Sequence, residues 1–299
     1  MRPAMSKLSP LLFPLFGGRP RVLARAMLGV LGALAACGTS ARDQGTGVDG
    51  RGAQLDGTGS SGSNTASYPI YAHSDTVLYT IDLGTKALVT IGKFLAPSSD
   101  VITDLAVAPS GTIYVISKTA LYTASATDGH VTKLGSLSAC GTSGVALTTT
   151  ANGDLWMGDF NGKLCKIDIA GAAPVVGAPV TMSGGYALAG DFVGVSDGTI
   201  FGTAYKLADQ ATQTNNLLVK IDVTTGAVTP IGSTGFPKLF GTSFQNNVVF
   251  GFTHDGTGHV VTIDRTTGVG TIYATFKDPA TNLGISFAGA GVSSLVVIE

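Results

Sequence analysis

Residues Leu218 to Gly232 read LVKIDVTTGAVTPIG, and the fold follows from the recurrence of this stretch along the chain. Val219, Ile221 and Val223 alternate with Lys220 and Asp222, the period of two that a strand with one buried face requires. In the tripeptide Thr224-Thr225-Gly226 the glycine stands where a tight hairpin loop needs positive φ. The segment is therefore a strand, a turn and a second strand. Its relatives are LYTIDLGTKALVTIG from Leu78, LYTASATDGHVTKLG from Leu121, LCKIDIAGAAPVVG from Leu164 and VVTIDRTTGVGTIY from Val260. The five starts are 43, 43, 54 and 42 residues apart, a period that suits propeller blades and is too long for leucine-rich or ankyrin repeats. Gly129 and Gly268 occupy the turn position in two copies, whereas Lys86 and Ala172 stand there in the copies at 78 and 164. Those two turns are expected to be of another type.

A second hairpin precedes most copies. DLAVAPSGTIY (Asp104 to Tyr114), DFVGVSDGTIF (Asp191 to Phe201) and ALTTTANGDLW (Ala146 to Trp156) share one frame, with fainter versions at Phe240 to Phe250 and Leu283 to Val297. Two hairpins make a four-stranded antiparallel blade. The predicted fold is all-β, a five-bladed β-propeller over residues 68–299, with six blades as the alternative. A hairpin in Leu283 to Ile298 and one in Pro69 to Gly92 are expected to share the last blade, which would cover two open sheet edges. Trp156 falls on an apolar strand position and reads as core.

Composition agrees with strands. The 299 residues include 42 glycines, only 12% are charged, and Glu299 is the one glutamate, which leaves little from which to build a helical layer. The net charge of −1 is uneven. Arg2, Lys7, Arg19, Arg21 and Arg25 precede Cys37 with no acid among them, leaving thirteen bases against nineteen acids, or −6, in the remainder. Such a body is a poor partner for nucleic acid.

Residues 1–36 are a basic segment followed by the short apolar run Ala26 to Ala36, the pattern of a secretory signal. Eleven apolar residues do not span a bilayer, which takes about 20. Leu34-Ala35-Ala36-Cys37 resembles the lipobox of bacterial lipoproteins, which implies acylation of Cys37 and a membrane anchor; Gly38 in place of the family's retention aspartate favours the outer membrane or cell surface. Residues 37–67 are rich in Gly, Ser, Thr and Asp and read as a flexible tether. After export, Cys140 and Cys165 remain as an even pair, either a disulfide or two buried thiols.

In a propeller the short connections within each hairpin share one face and the longer ones lie opposite, so binding is expected on the long-loop face. Asp159, Phe160, Lys206, Asp209, Phe236, His254, His259 and Lys277 are its candidate residues. His254, Asp255 and His259, with His73, are metal-ligand candidates, but their spacing fits no zinc pattern, and solvated loop histidines are expected instead. Asp104 and Asp191 start inner strands near the mouth of the channel and are the catalytic candidates. Ala146 and Phe240 occupy the equivalent positions in other blades, and no glutamate is present to serve as a glycosidase acid. No nucleophile elbow, P-loop or dinucleotide fingerprint occurs, and no cofactor is expected.

The LYxID…TG…IG repeats resemble the broad bacterial propeller group of YVTN and quinoprotein-like repeats over residues 69–298. That resemblance implies the fold and is nearly silent on function. Taken together, the expectation is a monomeric, lipid-anchored envelope propeller that binds a protein or glycan without catalysis. A hydrolase, lyase or lactonase at Asp104 and Asp191 is the alternative.

Overall fold

Each copy of the repeat forms the outer hairpin of a four-stranded antiparallel sheet, and there are five such sheets. The computed structural model describes residues 68–97, 100–137, 140, 145–212 and 214–298. Cys37, the signal segment 1–36 and the tether 37–67 lie outside the described residues. The chain opens with β1 (Ile70–His73), β2 (Val77–Asp82) and β3 (Ala87–Lys93). Blade 1 is β4 (Ile102–Val107), β5 (Ile113–Ser117), β6 (Ala120–Ala124) and β7 (Val131–Ser136). Blade 2 is β8 (Ala146–Thr149), β9 (Leu155–Gly158) and β10 (Lys163–Asp168), with its outer edge split into β11 (Val175–Val176) and β12 (Val180–Thr181). Blade 3 comprises β13 (Tyr186–Gly194), β14 (Ile200–Lys206), β15 (Leu217–Ile221) and β16 (Val228–Ser233). Blade 4 comprises β17 (Leu239–Gln245), β18 (Val248–Thr253), β19 (His259–Ile263) and β20 (Gly270–Thr275).

The last strand, β21 (Gly289–Gly291), returns to pair antiparallel with β1, His73 opposite Gly289 and Tyr71 opposite Gly291. Blade 5 is thus β21-β1-β2-β3. The inner strands adjoin in the order β21, β4, β8, β13, β17, and β17 again adjoins β21, which closes the ring. The two chain ends share this blade as expected, but not as two hairpins. The turn at 74–76 is short enough to fold Ile70–His73 back onto β2, with Ile70 opposite Ile81, so the N-terminal segment supplies three strands and the C-terminal one a single strand.

The expected C-terminal hairpin is instead a tail that crosses the turn face. Ser293 bridges Val107 in parallel, Ser294 Oγ donates to Thr150 O at 2.9 Å, and Ser196 N donates to Val296 O at 3.1 Å. These partners are the lower ends of blades 1, 2 and 3. Val296 is buried and belongs to the same apolar cluster as Val193, Phe244 and Val249.

The glycines of the repeat serve the joints between blades. A Cβ on Gly232, at the end of the TPIG strand, would lie 2.0 Å from Thr267 O in the next blade's turn, and one on Gly268 of that turn 2.6 Å from Gly232 C. Gly92 meets Asp128 and Gly129 of blade 1 in the same way, with its Cβ 1.8 Å from Asp128 O, and Gly135 meets Pro174 of blade 2 at 2.5 Å. At the blade 4 to blade 5 joint the pattern changes. Lys86 occupies the turn position at φ 54°, so the turn keeps its left-handed residue and is not of another type. Its ammonium donates to Tyr273 O at 3.0 Å and sits 4.5 Å from the Tyr273 ring centroid. A cation–π contact there takes the place of the glycine pair.

Cys140, ahead of β8, and Cys165, in β10, form a disulfide with Cα atoms 5.8 Å apart, within the reach such a bond requires. Trp156 is 7% exposed and packs in the core between blades 2 and 3.

Candidate binding site at the channel mouth

Strand pairing sets five residues at one level of the channel. Asp104 faces Ile116, Ala146 faces Gly158, Gly241 faces Phe252 and Gly289 faces His73; Asp191 completes the level inside the irregular stretch of β13 between Leu188 and Phe192. The sequence register had placed Phe240 in this ring. A bulge between Leu239 and Gly241 inserts one residue, which gives the ring position to Gly241 and raises Phe240 toward the mouth.

The residue after each ring position turns its backbone N–H to the axis, and the two carboxyls accept all five. Leu105 N and Leu147 N donate to Asp104 Oδ1 and Oδ2 at 2.8 and 2.7 Å. Phe192 N and Thr242 N donate to Asp191 Oδ1 and Oδ2 at 2.5 and 2.8 Å, and Ala290 N also donates to Asp191. One amide comes from each blade. The remaining ring residues must be small to leave space for this arrangement: a Cβ on Gly289 would lie 2.1 Å from Asp104 Oδ1, and one on Gly241 2.8 Å from Ala290 Cβ.

Both carboxyls are buried and lie close enough for each to act on the other. Burial raises the pKa of both, with the charge of Asp191 adding to the effect on Asp104, while the amides oppose the rise. The raised pKa favours the protonated form, and two groups that interact in this way titrate as a unit. Asp104 and Asp191 therefore lie below the mouth, not at it, with every carboxyl oxygen engaged by a backbone amide. This geometry ties the blades together through two buried carboxyls.

His73 also departs from the expected solvated loop histidine. It is fully buried, its Nδ1 pairs with Ser74 O at 2.8 Å, and its Nε2 lies 2.5 Å from the same absent Gly289 Cβ that Asp104 approaches. Burial lowers its pKa to about 4. Nε2 has no hydrogen-bond partner. His254 Nδ1 pairs with Phe287 O at 3.1 Å and His259 Nδ1 with Thr275 Oγ1 at 2.9 Å. Among the described residues no three His, Cys, Asp or Glu side chains converge as a metal site.

Above the ring, residues of all five blades line a cavity of about 140 Å³. Its floor includes Thr103, Gly190 and Ala288, the residues immediately before three of the ring positions. Val101, Ile102, Val145, Phe160 and Phe240 supply apolar walls, and Asp75, Lys118 and His254 complete the lining. Phe160 and Phe240 have centroids 6.3 Å apart at 45°, and His254 stacks on Phe240 at 4.7 Å and 7°. Of the eight long-loop candidates, Phe160 and His254 reach this cavity. Asp159 is buried and caps its own loop, accepting from Asn161 N and Lys163 N at 2.9 and 2.7 Å. Lys206 lies 5.2 Å from the centroid of the Tyr186 ring, and Phe236 packs against the core. Asp209, His259 and Lys277 do not line the cavity. Phe240 was missed as a wall residue because only the bulge lifts it to the mouth.

The fold and this cavity define a five-bladed β-propeller with an apolar mouth on its long-loop face. No protein-family model matches the chain, and no curated protein sequence matches it. Solved structures similar to it include virginiamycin B lyase from Staphylococcus aureus, at 16% identity and a TM-score of 0.40 over 70% of this chain and 65% of that one. A chain of a nidogen/laminin complex is similar at 12% identity and 0.48, over 76% and 99%. A protein of unknown function from Bacteroides caccae is similar at 9% and 0.45, over 75% and 98%. The present chain thus spans 65% of the length of the lyase. At such distances neither a shared reaction nor a shared partner follows.

Proposed function

We propose that this protein is a lipid-anchored binding propeller of the cell envelope that engages a partner, protein or glycan, through its long-loop face without catalysing a reaction. The observation that carries this reading is the cavity at the channel mouth, where all five blades contribute lining residues above carboxyls that are themselves closed off. Apolar clefts with a few polar groups at their edge are the usual form of a binding site. Leu95, Val101 and Leu283, in connections of the long-loop face, are 66, 57 and 69% exposed, and Val101 also lines the cavity.

The test is capture of envelope proteins and glycans by the purified protein, compared with L95D/L283D on the long-loop face and V269D on an outer turn. Loss of a saturable partner with the first variant and retention with the second are expected. Equal capture by both would overturn the reading. Release of the protein from membranes by Cys37→Ser tests the anchor separately.

A further inference from the structure

We infer that the mouth cavity is a socket for one aromatic ring; the inference rests on the binding role proposed above and names the chemistry that the site selects. Size is the first argument. A cavity of about 140 Å³ matches the roughly 150 Å³ of apolar space that admits a benzene molecule. A disaccharide or a helix does not fit inside it, so what enters is a single group, whatever that group is attached to outside the mouth.

The walls are the second argument. Phe160 and Phe240 present rings to the space at 45° to each other, and aromatic pairs in tilted or offset arrangements gain attraction beyond the area they bury. The walls are also held before a ligand arrives. Tyr205 Oη donates to Phe160 O at 2.5 Å and accepts from Gln210 Nε2 at 3.1 Å. His254 covers one face of Phe240 while its Nδ1 is fixed on Phe287 O. A preformed wall loses little side-chain entropy on binding. Sugars need several converging hydrogen-bond donors and acceptors, whereas Val101, Ile102, Val145, Phe160 and Phe240 present carbon, and of the polar lining residues His254 already has its Nδ1 on Phe287 O.

The ring could belong to a free small aromatic molecule or to a Phe, Tyr or Trp side chain, and the probes separate these sources. Calorimetric titrations of the protein would use benzyl alcohol, N-acetylphenylalaninamide and, as a saturated control, cyclohexylmethanol. Saturable binding of an aromatic probe is expected, with cyclohexylmethanol weaker by roughly fivefold. Tighter binding of the amide than of benzyl alcohol assigns the socket to a partner's side chain, and the reverse order assigns it to a free aromatic. Val101→Trp, placed at an exposed position on the rim, should block the cavity without disturbing the core and weaken binding at least about tenfold. Phe240→Ala should weaken it similarly. Absence of saturable aromatic binding, equal binding of the cyclohexyl control, or binding unchanged in Val101→Trp would each overturn the inference. If V101W keeps the envelope partner that L95D/L283D loses, the socket fails while the wider binding role stands.

Discussion

Asp104 and Asp191 show how two side chains can be chosen by the backbone around them. Five inner strands aim five amides at one axis, and buried amides without acceptors would each cost about 1–3 kcal/mol. Two carboxyls and three small residues satisfy that geometry. This assignment predicts a pH dependence. In the unfolded chain an aspartate titrates near 3.9, and in the fold burial raises the pair. The contribution of the pair is therefore complete below about pH 4 and is lost as pH rises through its folded pKa. His73, lowered to about 4 by burial, acts in the other direction: its contribution is complete above about 6.5 and is lost as pH falls. Asp104→Asn keeps a neutral group at the axis but denies one amide its acceptor, so it should cost about 1–3 kcal/mol at mildly acidic pH. Because His73 is common to both proteins, the difference in urea midpoint between wild type and variant reads the pair. That difference should shrink as pH rises from the acid side, and a difference that does not change with pH would contradict the raised pKa of the pair.

At the scale of the element, the repeat motif is a joint between blades as much as a hairpin. The strand-ending glycine of one blade and the turn glycine of the next touch through backbone atoms, as at Gly232 and Gly268. Gly232→Ala would place a methyl 2.0 Å from Thr267 O, and backbone on both sides has no room to yield. A loss of more than about 2 kcal/mol in a denaturant melt is expected. Gly185→Ala, at φ 70° with nothing within 4 Å, should cost only the left-handed penalty of about 1–2 kcal/mol. Equal losses would mean that the joint is not close-packed. These glycines were legible as turn signals because their spacing repeats with the hairpin; their contact with the neighbouring blade was not, since it lies between copies. Lys86 was misread for the same reason, because Tyr273, the side chain that meets it, lies in another blade.

For the whole molecule, the 43-residue period announced blades, and the length of 68–299 gave their number. The closure was legible only in outline. Alternation cannot tell one short strand from a hairpin in a stretch as glycine-rich as Gly284 to Gly291, and β21 is three residues long. The site was hidden more deeply. Asp104 and Asp191 belong to blades 1 and 3 and meet only when the ring is closed, and the bulge that separates Gly241 from Phe240 leaves no mark in the apolar pattern. Ring, carboxyl pair and mouth cavity are one construction: each of the five ring residues is followed by an amide that holds a carboxyl and preceded by a residue that lines the cavity.

The central claim is that the ring is held at its axis by one amide from each blade on a shared pair of carboxyls. Native-state hydrogen exchange of Leu105, Leu147, Phe192, Thr242 and Ala290 tests it most directly. The account predicts that all five amides exchange only through global unfolding, with one common opening free energy. Exchange of Ala290 several orders of magnitude faster than that of Thr242 would show β21 leaving the ring on its own and would contradict it.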